Sequence, residues 1–504
     1  MNGLLMARSR TIPAAPTRPG RAARPTLALL ALSLAGCSHL LPGSYADRRL
    51  AEPLPAGPAH AGPPAAEPPA AEPPPPPPTA PAALASPAGA LPRGVDSLTD
   101  LLDLALRSDP GTRAAWLEAR AAADTAGARR AAWLPTLDGA AALTRLQAPG
   151  TSSAEVRRTD ASLSAQLSWM LLDLGARGAS QDEADQQLLA ARLAHESAVL
   201  DLALRVEEAW YGYQTSRALL GAADATVKQA ETSLKAAEER RSAGAATVAD
   251  VLQSRTALSQ LRLEVQRIEG LSAGLRGRLA SLAGLSPTVE LVVPPLPENV
   301  HAAESLPEVE RLLEEAARAN PDLARARALA DAADARARAL SRADLPTLSA
   351  VAAIGEDWPI APEGDRYRFW NAGLVLRIPL FSGGRASFET ASARAVAEAA
   401  RTRTEATGRQ VQLDVWTSYQ ALRTAARRGE TARDLLASAT EGVEVANGRY
   451  REGLGSILDL LSSQSSLESA RAEEILARAD WLLALARLAR ATGRLLPAAQ
   501  GAAP

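Results

Sequence analysis

Cysteine is almost missing from this chain. Cys37 is the only one in 504 residues, so no intrachain disulfide and no cysteine zinc cluster can form. Histidine is scarce as well: His39, His60, His195 and His301 are scattered, and no two belong to one cluster. Aromatic residues make up 3% of the chain and mean hydropathy is −0.09. The apolar core Leu27 to Leu34 falls well short of the roughly 20 residues that a membrane-spanning helix needs. A bundle of transmembrane helices is excluded. Neither charge sign dominates, with 55 Lys and Arg against 57 Asp and Glu, which argues against a nucleic-acid partner. No nucleophile, base and orienting group occur together. Gly453-Leu454-Gly455 follows a helical pattern instead of a strand, so it is not a phosphate loop. These absences point away from an enzyme, a metal site or a cofactor.

What the chain has instead is a second copy of itself. Residues 98–284 recur at 305–493. Asp109-Pro110 answers Asn320-Pro321 and Leu134-Pro135-Thr136 answers Leu345-Pro346-Thr347, both at an offset of 211. Further along the offset is 209, as in Gly175 with Gly384, Gly244 with Gly453, Asp250 with Asp459 and Gly284 with Gly493. One structural unit is built twice, with an expected pseudo-symmetry axis between the copies. The expected organisation is an export signal at 1–36, an N-terminal linker at 37–93, a first repeat at 94–284, an inter-repeat linker at 285–304, a second repeat at 305–495 and a disordered tail at 496–504.

The first 36 residues carry five arginines from Arg8 to Arg24 ahead of the short apolar core, the pattern of a secretory signal. Leu34-Ala35-Gly36-Cys37 resembles the bacterial lipobox, which implies cleavage before Cys37 and a lipid, including palmitate, on that residue. Residues 51–92 are dominated by Pro and Ala, with an unbroken run from Pro73 to Pro78. Such a stretch favours extended polyproline II geometry and cannot bury enough side chain to offset its ordering entropy. It is expected as a spacer, or as a length of chain lying along the surface of the folded body.

The helices follow from periodicity. Val251, Leu258, Val265, Ser272 and Leu279 recur every seven residues, and Leu261, Ile268, Leu275 and Leu282 recur three positions out of phase. This is the seam of coiled-coil packing. The second copy keeps the register with Leu460, Leu467, Trp481 and Leu488, and with Ala470, Ala477, Ala484 and Ala491; Glu474 interrupts it and is expected to face water or a neighbouring chain. Stretches 177–241 and 385–451 contain no proline and predict helices of about 90–100 Å at 1.5 Å per residue. A returning helix stacked end to end with 112–133, or with its counterpart 321–343, matches each long helix. The joint is expected at Gly284, Pro287 and the Asp-Pro and Asn-Pro breaks, with irregular segments at 94–108 and 285–320. Asp201 with Arg205 and Glu231 with Lys235 have the i,i+4 spacing of a solvated face. Gly244 with Thr247, and Gly453 with Ser456, have the cap chemistry of hairpin tips, a requirement that leaves Gly455 unexplained.

Four strands complete each pair of hairpins, at about 136–146, 160–170, 347–354 and 367–380. Ala161, Leu163, Ala165, Leu167 and Trp169 alternate with Ser162, Ser164, Gln166 and Ser168. Such alternation over about ten residues suits a tilted strand between lipid and a watery interior, or a half-buried sheet. Four strands cannot close a barrel, and open edges cannot survive in lipid. If they cross a membrane, several chains must share one barrel.

The duplicated pattern, with Leu380-Phe381-Ser382-Gly383-Gly384-Arg385 opening the second long helix and Tyr450-Arg451-Glu452-Gly453 followed by Ile457-Leu458-Asp459-Leu460-Leu461 at the tip, resembles the outer membrane efflux protein family, the TolC-like channel-tunnels, and within it the lipoprotein subgroup. The resemblance covers about 94–495. It implies a homotrimer in the outer membrane of a Gram-negative cell, with a twelve-stranded β-barrel closed only in the trimer and a long α-barrel in the periplasm. It also implies docking through the tips (Gly244, Thr247, Gly453, Gly455, Ser456) onto a periplasmic adaptor served by an inner-membrane pump, an RND-type pump being favoured. The cargo would be drugs, metals or other toxic solutes, conducted passively.

Family gating lies at the periplasmic tip, and the resemblance implies constriction roles for Tyr450, Asp459 and, at the equivalent place, Asp250. Gly455 and Ser462 stand where the family pattern has an arginine and a second aspartate, so a salt-bridge lock is not expected. Asp250 and Asp459 also fit simple helix-start carboxylates. The alternatives are an exit duct for secreted protein and a lipid-anchored periplasmic scaffold without a pore.

Overall fold

A computed structural model describes residues 42–52, 97–149, 155–298, 308–362 and 364–494. The expected export signal, Cys37, most of the Pro/Ala-rich stretch and the C-terminal tail lie outside the described residues. A short helix α1 (Pro42–Ala51) precedes the first copy, which contains α2 (Leu98–Ser108), α3 (Pro110–Ala131), β1 (Thr136–Pro149), β2 (Glu155–Leu172), α4 (Ala176–Ser242) and α5 (Val248–Leu282). The second repeats the order as α6 (Val309–Ala319), α7 (Pro321–Ser341), β3 (Thr347–Ala361), β4 (Tyr367–Arg377), α8 (Arg385–Arg451) and α9 (Ile457–Thr492).

Each 67-residue helix, α4 and α8, packs against the two shorter helices that follow its length within its own copy, and α4 also packs against α7 and α9 of the second copy. Helices α5 and α3 abut end to end beside α4, as α9 and α7 do beside α8. The joints are tight: a Cβ on Gly284 would lie 2.6 Å from Ser108, and one on Gly493 2.6 Å from the Ala319 carbonyl. Asp109 accepts from the Thr112 amide at 2.7 Å and so starts α3. Asn320 does more, accepting from the amides of Asp322 and Leu323 while its own amide donates to the Ala491 carbonyl at 3.0 Å. One side chain therefore caps α7 and ties it to the end of α9.

The joint is more regular than expected. Segments 98–108 and 309–319 are amphipathic helices, not irregular chain, and each buries a face at i, i+3 or i+4 spacing (Leu98, Leu101 and Ala105; Leu312 and Ala316). Residues 285–298 form no helix or strand, yet Leu291, Val293 and Leu296 pack into one core with Leu202, Val206 and Trp210 of α4. The heptad seams are buried at Val251, Leu258, Ile268, Ser272 and Leu279, and at Leu460, Leu467, Leu488 and the four alanines from Ala470 to Ala491. Glu474 does not face open water; it is largely covered and paired with Arg478 at 2.8 Å. Asp201 and Glu231 are exposed, as their spacing suggests, but pair across helices, with Arg490 at 2.6 Å and Arg262 at 2.7 Å. Antiparallel packing brings a long guanidinium from the neighbouring helix within reach.

The strands form one antiparallel sheet in the order β1-β2-β3-β4. Backbone pairing continues past the alternating stretches, so β2 and β3 are longer than expected: Asp160 still pairs with Pro359. β4 stops at Arg377 instead of 380, because Pro379 has no N–H to continue a ladder. Register places Leu137, Leu167, Ala352 and Ala372 in one cross-strand row, and Asp138, Gln166, Ala353 and Asn371 in the next. One face is thus apolar and the other small and polar. β1 and β4 are the free edges.

Candidate functional site: the hairpin tips and the sheet rim

At both tips a glycine ends the long helix in the left-handed region, Gly244 at φ 74° and Gly453 at φ 76°, a conformation that costs any residue with a Cβ. The Ala245 and Leu454 amides reach back to the Arg240 and Arg449 carbonyls, each at 2.8 Å. Thr247 and Ser456 then start the returning helices with capping boxes. The Asp250 carboxylate accepts from the Thr247 amide at 2.7 Å, and the Asp459 carboxylate from the Ser456 amide at 3.1 Å. Those bonds from Ser456 hold the Asp459 carboxyl below its usual range. Gly455 needs no unusual backbone angle; a Cβ there would lie 3.2 Å from Arg449 Cβ, so close packing accounts for it.

Tyr450 is buried, in a small cluster with Ile457 and Leu460. The Arg240 guanidinium lies 4.8 Å from its ring centroid and donates to its carbonyl at 2.7 Å. A cation from the first hairpin thereby closes the C-terminal end of α8 in the second, where helix-dipole and cation–π attraction both favour it. Arg240 went unnoticed in the sequence. The signal was present: Arg240 corresponds to Arg449, yet Tyr450 stands where the first copy has Arg241. A further link between the hairpins runs from Gln464 to Ser233 at 2.9 Å.

The opposite end of the helices carries an aromatic rim. Arg177 stacks 4.4 Å from the Trp133 ring centroid, pairs with Asp173 at 3.1 Å and donates to the Met170 and Ala132 carbonyls. The Trp169 indole donates to the Trp133 carbonyl at 2.9 Å. These contacts fix the angle at which strand becomes helix. Among the described residues no three His, Cys, Asp or Glu side chains gather as a metal site, and no helix is long and apolar enough to cross a membrane.

A sheet with one apolar face, open at both edges and mounted on helices about 100 Å long, is the geometry of a subunit of a membrane duct. The family model for outer membrane efflux protein matches residues 101–285 and 312–494, one match per copy. The chain belongs to that family, whose TolC-type fold closes its barrel only as a trimer. Among curated relatives, Protein CyaE of Bordetella pertussis is 29% identical over 79% of this chain and 84% of its own length. Outer membrane protein OprJ of Pseudomonas aeruginosa is 27% identical over 73% and 78% respectively. A crystal structure of a membrane protein from Pseudomonas aeruginosa superposes with a TM-score of 0.71 at 26% identity, covering 79% of this chain and 93% of that one.

Proposed function

We propose that this chain is one third of an outer-membrane exit duct that passively conducts small toxic molecules to the exterior. The observation that carries the reading is the register of the sheet. Within the chain, Leu167 of β2 pairs with Ala352 of β3, the seam between copies. The offsets of the duplication carry that pair onto Leu376 of β4 and Ala141 of β1, the two unpaired edges. β4 of one copy therefore meets β1 of the next with Leu376 opposite Ala141, and three copies give the twelve strands that lipid requires to be closed. The polar row with Asp138, Gln166 and Asn371 then lines the lumen.

The helical tips dock on a periplasmic adaptor through Gly244, Thr247, Gly453, Gly455 and Ser456, and an RND-type inner-membrane pump supplies the energy. Support for this comes from the family and from the rigid capping of both tips. Cys37 carries the lipid anchor, consistent with α1 packing along α3 a few residues downstream. At the tip, three Asp459 carboxylates form an ionised ring that hydration or a cation must offset. Asp250 serves mainly to start its helix, and Tyr450 acts through its clasp with Arg240. The repeat boundaries set out from the sequence are retained.

Expression in a Gram-negative strain lacking its own exit duct tests the function. Restored tolerance to dyes and antibiotics, with lower accumulation, is expected when a matching adaptor and pump are supplied. Export of a polypeptide without any change in drug accumulation would favour the secretion duct instead. Changing Cys37 to Ser is expected to abolish acylation while leaving some trimer, with radioactive palmitate as the readout; label retained on the variant would refute the anchor.

A further inference from the structure

We propose that Phe388 of one copy inserts into a cavity at the rim end of α3 in the next copy, so that between chains an aromatic contact takes the place of the ion pairs of the equivalent seam within a chain. This rests on the closed-ring reading above. Within the chain, the start of α4 meets the end of α7. The Arg342 guanidinium donates to the Gly175 carbonyl at 3.1 Å, Arg338 pairs with Asp182 at 3.3 Å and Arg336 with Glu183 at 3.5 Å. Ala179 lies in this junction, only 2% exposed.

The duplication carries this junction onto α8 of one copy and α3 of the next, and nearly every side chain changes size or charge. Asp182 and Glu183 become Ala391 and Ser392, while their partners Arg338 and Arg336 become Gly127 and Thr125. Both members of each ion pair are lost together. Arg342 becomes Ala131, and Ala179 becomes Phe388. Bulk has moved from the α7 side of the junction to the α8 side.

On the α8 side the new junction stands open in a single chain; on the α3 side Ala128 and Ala131 are exposed, while the Tyr45 ring lies over Gly127. Phe388 is 78% exposed, with Leu380 at 92% and Phe381 at 89% nearby in sequence. On α3, a cavity of about 820 Å³ is lined by Gly127, Ala128, Ala131, Trp133 and Leu134, with Asp124 and Arg130 beside them, Tyr45 and Arg49 of α1 as one wall and Gln181 and Asp185 of α4 as another. Gly127 and Ala131 are the residues that the duplication sets opposite α8. Burying an aromatic ring there removes apolar surface from water on both sides. The occupant is a second copy of this chain, because only its α8 carries a large apolar residue at the position the mapping demands. Tyr45 extends the seam to the N-terminal segment, which has no counterpart in the second copy.

Full-length protein with Phe388→Cys and Ala128→Cys, with lipidated Cys37 unchanged, is oxidised in membranes. Cross-linked oligomers are expected, and Phe388→Ala is expected to speed loss of the trimer on warming in mild detergent by on the order of tenfold, with Phe388→Leu restoring most of it. A separate pair, Leu376→Cys with Ala141→Cys, reports the ring itself. If that pair cross-links while Phe388→Cys/Ala128→Cys does not, and Phe388→Ala dissociates like the parent, the insertion is wrong and the ring stands. If neither pair cross-links, both fall.

Discussion

The two copies share helices, strands and caps but differ in what they hold. The seam between the copies inside one chain holds a polar node. Arg490 of α9, 16% exposed, binds Asp201 of α4 at 2.6 Å, Asp322 of α7 at 2.9 Å and Ser197 of α4 at 3.0 Å, joining three helices across the seam between copies. The duplication carries these four residues onto Ser281, Gln410, Gly111 and Ala406, none of them charged. Duplicating a unit doubles its contacts, but one contact remains inside a chain and the other must form between chains. The inner seam has become ionic and specific. The positions that the duplication sets at the outer seam have lost those charges.

Arg490→Ala is expected to have the largest effect of any single change in that seam. It removes three charge-assisted contacts at once and leaves the partly exposed Asp322 without its cation, together a loss of about 3 kcal/mol after solvent screening, whereas Ser281→Ala at the equivalent place changes stability little. Chemical denaturation of both variants checks this, and equal effects would break the asymmetry. The same node sets a pH response. Burial pushes the Asp322 carboxyl up, but hydrogen bonds from Ser197 and Arg490 outweigh it and hold the group below its usual range. A depressed folded pKa means that the stabilisation is complete above the unfolded value and is lost as pH falls through the folded one. The inner seam is therefore expected to loosen in acid, below about pH 4.

Glu207 of α4 provides the next largest contrast. Burial pushes its carboxyl up to about 7, and its counterpart in α8 is the half-exposed Trp416. Ionising Glu207 in the folded protein costs energy, so stability falls as pH rises from the ordinary carboxylate range through about 7. Glu207→Gln is expected to remove that slope and to stabilise the protein at pH 8 by up to about 3 kcal/mol. Melting curves from pH 5 to 8 decide it, and an unchanged slope would contradict the burial of a charged group. The tips should differ least. Thr247→Ala and Ser456→Ala each remove one cap, at a cost of about 1 kcal/mol, and a much larger loss in one would show that its tip is held by further contacts within the protein.

Much of this architecture was legible in the sequence because it is local and repeated. Gly244 with Thr247 and Gly453 with Ser456 mark turns by backbone chemistry alone, and the seven-residue spacing marks the seams. Alternation from Ala161 to Trp169 identified a strand but not its ends, since backbone pairing continues where side chains no longer alternate. The tip candidates were legible as positions and not as environments: Tyr450 lies beneath Arg240, a partner 210 residues away. Asp201 lies at the exposed surface, as its spacing suggested, but its partner was hidden for the same reason. Its i+4 arginine is visible in the sequence, whereas Arg490 becomes a neighbour only after α4 and α9 have packed. Helix α1 left too short a pattern to stand out from the Pro/Ala-rich stretch beside it.

The most direct test is the mass of the whole protein, released from membranes in mild detergent and weighed by native mass spectrometry. Three chains in one particle that conducts ions across a planar bilayer is the expected result. A stable single chain with its four strands folded, and no pore, would contradict the claim that this molecule is a sector of a closed duct.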